Sequence, residues 1–263
     1  MTIELQIQDL SKTFVTRTGG VGALDTISLD VKEGEFLCLV GPSGCGKSTL
    51  LNIVGGLERA DQGRIILDGK SIDGPGADRV VIFQDGGLFP WLTVVQNVEF
   101  GLKERKDLSK QDRRERAEYF LKLVHLDKFE DAYIHELSGG MRQRVAIARG
   151  LVLEPRILLM DEPFAALDTQ TRDLLVEELR GIHEKLQNTI LFVTHHVREA
   201  VHLGDRIVLF TYRPGRIKQI FTVDIPKPRD PDDPRIGKLI REIVDSLHGE
   251  VEKALEAELT LEK

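Results

Sequence analysis

Cysteine is scarce in this chain of 263 residues: there are two, Cys38 and Cys45. Cys38 stands inside the apolar run FLCLV, which reads as a buried strand, so no disulfide framework is expected and a reducing compartment fits. Long apolar runs are missing too. No stretch approaches the roughly 20 residues a spanning helix needs, and MTIELQIQDL places no apolar core behind a basic segment. The chain is therefore expected not to cross a bilayer alone, and to serve any membrane process by docking onto another subunit. Positive charge is in deficit: 36 Lys and Arg face 43 Asp and Glu, a net of -7. That balance offers no field to gather DNA or RNA. Internal repeats, low-complexity segments, a long coiled-coil insertion and an N-K-x-D guanine-reading motif are also absent from the sequence.

What is present is ordinary for a globular protein, with 41% hydrophobic and 30% charged residues, and enough length for one large α/β domain with an insertion and a tail. IELQIQDL and ISLDVKEG alternate with period two, and FLCLV is a short continuous apolar run. RVVIF (79–83), RILLM (156–160) and TILFVT (189–194) are similar runs, with helical patterns between several of them. This spacing predicts a largely parallel sheet covered by helices. Residues 87–136 show helical periodicity without a strand-like run and read as an inserted helical subdomain within a domain spanning 1–225. YRPGRIKQIFTVDIP reads as a closing β segment, and PKPRDPDDPR as a proline-broken connector. Over 226–263 the connector leads into an amphipathic helix, with Ile236, Leu239, Ile240, Ile243, Val244, Leu247 and Val251 at helical spacing.

The sharpest motif is GPSGCGKST: Gly41, Pro42, Ser43, Gly44, Cys45, Gly46, Lys47, Ser48 and Thr49. It matches G-x-x-x-x-G-K-[ST] and lies between strand FLCLV and the helical TLLNIVGGL, the context its mechanism requires. Glycines let successive amides face one anion, and the helix start adds its positive dipole end. Lys47 is expected to reach the β and γ phosphates of ATP, and the Ser48 hydroxyl to ligate Mg²⁺. The Cys45 thiol is expected to be accessible among these amides, so that alkylation inhibits and ATP protects.

Ligands of open parallel sheets lie at the carboxyl ends of the strands. FLCLV ends in Gly41, RVVIF in Gln84, RILLM in Asp161 and Glu162, and TILFVT in His195. Asp161 suits the Mg²⁺ water shell, and the extra carboxylate of Glu162 suits a general base for the attacking water. Gln84 can offer its amide oxygen to Mg²⁺ or that water, and His195 can hydrogen-bond the γ-phosphate; a lone residue of either type is otherwise a packed or surface side chain. LSGGMRQR opens another helix, with Ser138 as cap and bare amides at Gly139 and Gly140. A second phosphate site points to completion of the pocket by another copy of the chain.

Phosphate loop, Gln84, LSGGMRQR, LLMDEP, AALD and the histidine together resemble the nucleotide-binding subunit of ABC transporters, over roughly residues 3–225. The resemblance implies an ABC-type P-loop domain with a RecA-like core, an N-terminal antiparallel β segment and the helical subdomain. It implies a head-to-tail homodimer enclosing two ATP molecules, with Ser138, Gly139, Gly140 and Gln143 acting in trans and Asp168 at the seam. It places Phe14 where an aromatic stacks on adenine, although Phe there equally suits a core. Where the family commonly has Asp, this chain has His196, which leaves open how the next helix is capped. Gln84 and the helical insertion resemble the region that receives a coupling helix from a membrane permease. GLFPWLTVVQNVEFGL, YRPGRI and PKPRD are similar to the branch energising uptake of nitrate, sulfonates and taurine, which implies a peripheral place for this chain at the cytoplasmic face of the inner membrane and, indirectly, a solute-binding protein as partner. No regulatory β domain is expected after the tail. Competing readings are a soluble ABC-type ATPase acting on DNA or the ribosome, and a phosphate-loop kinase or guanine-nucleotide switch.

Overall fold

A computed structural model describes residues 3–16 and 19–261. In chain order the strands and helices begin with β1 (Ile3–Thr16), β2 (Gly19–Lys32), β3 (Phe36–Val40), α1 (Lys47–Val54), β4 (Gln62–Leu67), β5 (Lys70–Ser71) and β6 (Arg79–Ile82). Next come α2 (Val94–Glu99), α3 (Lys110–Leu123), α4 (Gly139–Leu151), β7 (Ile157–Asp161), α5 (Thr169–Leu186) and β8 (Thr189–Thr194). The chain closes with α6 (Val197–Leu203), β9 (Arg206–Phe210), β10 (Ile217–Thr222) and α7 (Pro234–Leu261). Two compact units result, residues 1–76 with 189–263, and residues 77–188.

The first unit holds both kinds of sheet. Period-two alternation lets β1 and β2 bury one face each, and β1 pairs antiparallel with β2 and β4. β3 pairs in parallel with β8 and β9, and β10 runs antiparallel beside β9. Parallel strands covered on both faces have no solvent side, which is why FLCLV and TILFVT are apolar throughout and buried at every position. α1 packs near β8 with Leu50, Leu51, Ile53 and Val54 inward.

The second unit joins a parallel pair, β6 and β7, to helices. Residues 87–136 form α2, α3 and 3₁₀ turns, with no strand among them. Thr93 and Ser109 begin the two helices with reciprocal capping boxes, each hydroxyl accepting from the amide three residues on. Gly150 of α4 lies so close to Ile82 and Leu158 that an added Cβ would come within 3.2 Å of both. There the helix lies against its two strands.

α7 departs in detail from its sequence pattern. Ile236 and Ile243 are buried, but Val244 and Val251 are exposed, and the helix instead buries Ala254 and a carboxylate, Glu250. Hydrophobic spacing alone cannot see that Tyr212 N–H and Lys218 wait opposite Glu250. The connector ahead of α7 holds a buried cation, Arg229. Its guanidinium donates to the carbonyls of Val201, His202, Gly204, Val223 and Ile225 at 2.8–3.3 Å, satisfying carbonyls at the end of α6 that have no intrahelical donor.

Arg229→Ala would strand this group of carbonyls in a buried place. The expected cost is about 3 kcal/mol. Thermal unfolding should show it as a loss of about 6–12 °C for a chain of this size; melting indistinguishable from wild type would contradict the capping role.

Candidate functional site

The phosphate loop begins where β3 leaves the sheet. Val40 pairs with Thr194 of β8, so the next residues out, Gly41 and His195, emerge side by side at one carboxyl edge. The loop then turns into α1 through Gly46, the N-cap, at φ +100°. A Cβ there would meet the Ala23 carbonyl at 2.5 Å, so strain and sterics both demand glycine. Gly44, at φ +70°, makes the preceding reversal. Ser43, Gly44 and Ser48 are exposed, Gly46 and Thr49 half-buried, and Gly41 and Pro42 buried. Lys47 is buried, and its Nζ donates to the carbonyls of Gly41 at 2.9 Å and Pro42 at 3.0 Å.

Cys45 corrects an expectation. Its side chain is fully buried beneath the loop, with Sγ 3.7 Å from Lys47 Nζ and within 2.9 Å of where a Cβ on Gly41 would lie. Burial raises its pKa above the ordinary thiol value, and the Lys47 charge only partly opposes this. The Cys45 side chain packs against Lys47 and Gly41 rather than facing solvent, so a thiol within this motif is not thereby accessible.

His195 is exposed and His196 half-buried, their rings 4.1 Å apart. His196 occupies the N-cap of α6 without a side-chain cap; Thr194 Oγ1 instead accepts its N–H at 3.0 Å. The same hydroxyl donates to Glu199 in the first turn at 2.6 Å. The helix start is thus organised from the strand before it. Phe14 is exposed in β1, not core, with Lys12 Nζ 5.1 Å above its ring.

In the second unit, Ile82 of β6 pairs with Met160 of β7. Gln84 therefore leaves β6 at the same carboxyl edge as Asp161 and Glu162. Gln84 is exposed and the two acids are half-buried. Glu162 sits at φ +45°, a conformation costly for a non-glycine residue and concentrated at functional sites. The turn after Gln84 is held by Arg149, which donates to the carbonyls of Gly86 at 2.6 Å and Gly87 at 2.7 Å.

Ser138 caps α4, its Oγ accepting Met141 N–H at 3.3 Å. Ser138 is exposed, Gly139 half-buried and Gly140 buried, a Cβ on Gly140 being 2.6 Å from Thr171 Cγ2. Gln143 is buried, and its Nε2 has no partner. Asp168 is the N-cap of α5, accepting Thr171 N–H at 3.0 Å, a bond that lowers its pKa. Its sequence position marked a seam; its local work is to start a helix. Arg149, Arg213 and Glu250 escaped the sequence reading because each acts on a residue distant in the chain.

The chemistry these groups offer is narrow. Ser48, Gln84 and Asp161 are oxygen donors of the kind a hard divalent cation takes. Among the described residues no cluster of three His, Cys, Asp or Glu is placed to hold a metal ion. No described helix is long and apolar enough to cross a membrane.

Comparison with known proteins fits this geometry. The family profile described as ABC transporter matches residues 24–165. The chain is 52% identical, over 97% of its length and 95% of the relative's, to an uncharacterized ABC transporter ATP-binding protein of Methanocaldococcus jannaschii. It is 48% identical to the nitrate import ATP-binding protein NrtD of Synechocystis, over 91% of this chain and 90% of that one. A solved dimeric structure of a post-hydrolysis state of an ATP-binding cassette, bound to ADP and Pi, superposes with a TM-score of 0.73 at 33% identity. It covers 84% of this chain and 100% of the other.

Both cysteines are buried, so a thiol reagent at neutral pH is expected to find no fast-reacting group in the native protein and two after denaturation. A rapid native thiol assigned to Cys45 by peptide mapping would overturn its inward placement.

Proposed function

Since the chain belongs to the ABC transporter family and is an ATP-hydrolysing, nucleotide-binding subunit of it, we propose that residues 41–49 bind the phosphates of ATP and that Glu162 activates the attacking water. The observation that carries this reading is the loop itself: a buried strand, a reversal through the positive-φ glycines Gly44 and Gly46, and a helix start, with Lys47 at its first turn. Lys47 and His195 bear on the γ-phosphate, and Phe14 on the adenine. Mg²⁺, held by Ser48, Gln84 and Asp161, would neutralise charge developing on the phosphoryl oxygens. Glu162 takes the proton of the water as the bond to the γ-phosphorus forms and the bond to the bridging oxygen breaks, leaving ADP and phosphate. Its positive φ supports the role, because such backbone conformations cluster at functional sites.

Two copies enclose the nucleotide head to tail, Ser138, Gly139, Gly140 and Gln143 of one addressing the γ-phosphate bound by the other, with Asp168 at the seam. Gly139–Gly150 spans about 16 Å of helix, so the end bearing Ser138 projects far from the end packed on β6 and β7, which supports a role in trans. Contacts to both copies depend on the γ-phosphate, so ATP favours the closed pair and hydrolysis releases it. The pair drives an importer from the cytoplasmic face through permease subunits, for a small solute of the nitrate, sulfonate or taurine kind delivered by a solute-binding protein. The name of the nitrate-import relative supports the solute class. An aromatic surface supports the permease contact: Trp91 is 70% exposed, with Phe89 5.5 Å from it and 4.4 Å from Phe100.

Glu162→Gln is expected to bind ATP normally, trap the dimer in size-exclusion chromatography, and lower turnover at least 100-fold; hydrolysis near the wild-type rate would remove Glu162 as the base. The double substitution Ser138→Cys with Ser43→Cys, both at exposed positions, is expected to form a disulfide between copies only when ATP is held unhydrolysed. Equal crosslinking without nucleotide would refute the shared pocket.

A further inference from the structure

One turn lies against the outer side of the phosphate loop at three points. At the loop's start, a Cβ on Gly41 would be 3.0 Å from Phe210 Cβ. At its far side, a Cβ on Gly215 would overlap the Cys45 carbonyl, while Gly215 N–H donates to Ala23 O at 2.9 Å. Between them Arg213 Nε donates to the Gly44 carbonyl at 3.0 Å. The turn is braced internally. Thr211 N–H donates to Arg216 O at 2.9 Å, and Thr211 Oγ1 donates to Pro214 O at 3.1 Å and accepts Arg216 N–H at 3.0 Å.

Helix α7 holds this turn from behind. Glu250 is 4% exposed; its Oε2 accepts Tyr212 N–H at 2.9 Å, and its Oε1 accepts Lys218 Nζ at 2.9 Å and Lys253 Nζ at 3.0 Å. Burial works against its ionisation, yet the Tyr212 N–H and the two ammonium groups hold its pKa down, to about 2. Tyr212 is bonded to the helix and its neighbour Arg213 to the loop.

We propose that Arg213 is a positioning residue for ATP binding, aligning the Gly44–Cys45 peptide of the phosphate loop, and that α7 keeps it there through Glu250. In a trans peptide the carbonyl and N–H point opposite ways. A bond to Gly44 O from the Arg213 side therefore turns Cys45 N–H to the opposite side of the loop, where it donates to Pro42 O at 3.4 Å. A charged donor on that carbonyl also polarises the amide and strengthens its N–H toward an anion. Arg213 then acts without touching the nucleotide, and the C-terminal helix becomes a determinant of nucleotide affinity. The inference rests on the reading of residues 41–49 as the phosphate loop.

The test uses the full chain, with ATP binding by titration and steady-state hydrolysis. Arg213→Ala is expected to weaken ATP binding and raise KM about tenfold, with kcat within about twofold of wild type, and Arg213→Lys to recover most of the loss. Unchanged KM, or a fall confined to kcat, overturns the positioning role. Glu250→Gln is expected to raise KM about threefold and to add nothing to Arg213→Ala, since both act along one connection; additive effects sever α7 from the loop. Hydrogen exchange on the wild-type chain gives a reading independent of any variant: ATP is expected to slow exchange at Tyr212 N–H, and an unaltered rate overturns the link. Lys47→Ala separates the two readings. If it binds ATP as wild type, the phosphate-loop assignment fails; if it loses binding while Arg213→Ala binds normally, only the present inference fails.

Discussion

A helix begins with backbone N–H groups that have no acceptor of their own, and a buried parallel strand ends by delivering its chain to the edge of a sheet. Between Val40 and Lys47 these two circumstances coincide within eight residues. The strand is fixed by its neighbours: β3 pairs with β8 on one side and β9 on the other, with Val40 opposite both Thr194 and Leu209. The departure angle into α1 is fixed by Gly46, which alone tolerates φ +100° against the Ala23 carbonyl. What remains is a tight glycine-bearing reversal leading into a helix start, whose first N–H groups have no acceptor within the helix.

The second unit answers the same constraint with carboxylates. β6 and β7 share a register that brings Gln84 and Asp161–Glu162 to a common edge, and the chain accepts an uncommon backbone conformation at Glu162. α4 repeats the helix-start arrangement, capped by Ser138, with glycines following it. A motor of this kind converts chemistry into movement because some of its contacts exist only while a particular phosphoryl group is attached. Side chains that bind equally before and after cleavage contribute affinity; those addressing the terminal phosphoryl contribute direction.

Much of this was legible in the order of residues. Apolar runs bounded by turns gave the strands FLCLV, RILLM and TILFVT, because a strand covered on both faces must be apolar at every position. The helix starts at GPSGCGKST and LSGGMRQR were legible because their signals are local: glycines and a cap lie within a few residues of each other. Three things were not. The burial of Cys45 depends on which way one peptide faces, and composition does not record that. The role of Glu250 depends on Tyr212, 38 residues away. The start of α6 depends on Thr194 standing two positions ahead, where capping is not ordinarily sought.

The paired histidines show how finely strand register divides labour between neighbours of identical chemistry. β8 ends at Thr194, so His195 is the residue that leaves the sheet beside Gly41, whereas His196 is spent on the first step of the next helix. The duplicated imidazole is therefore no spare. Inserting one residue into Thr189–Thr194 would bring Thr194 to the edge beside Gly41, move His195 to the helix start, and turn every side chain beyond the insertion to the opposite face, so this edge of the fold tolerates replacement of letters far better than a change in their number.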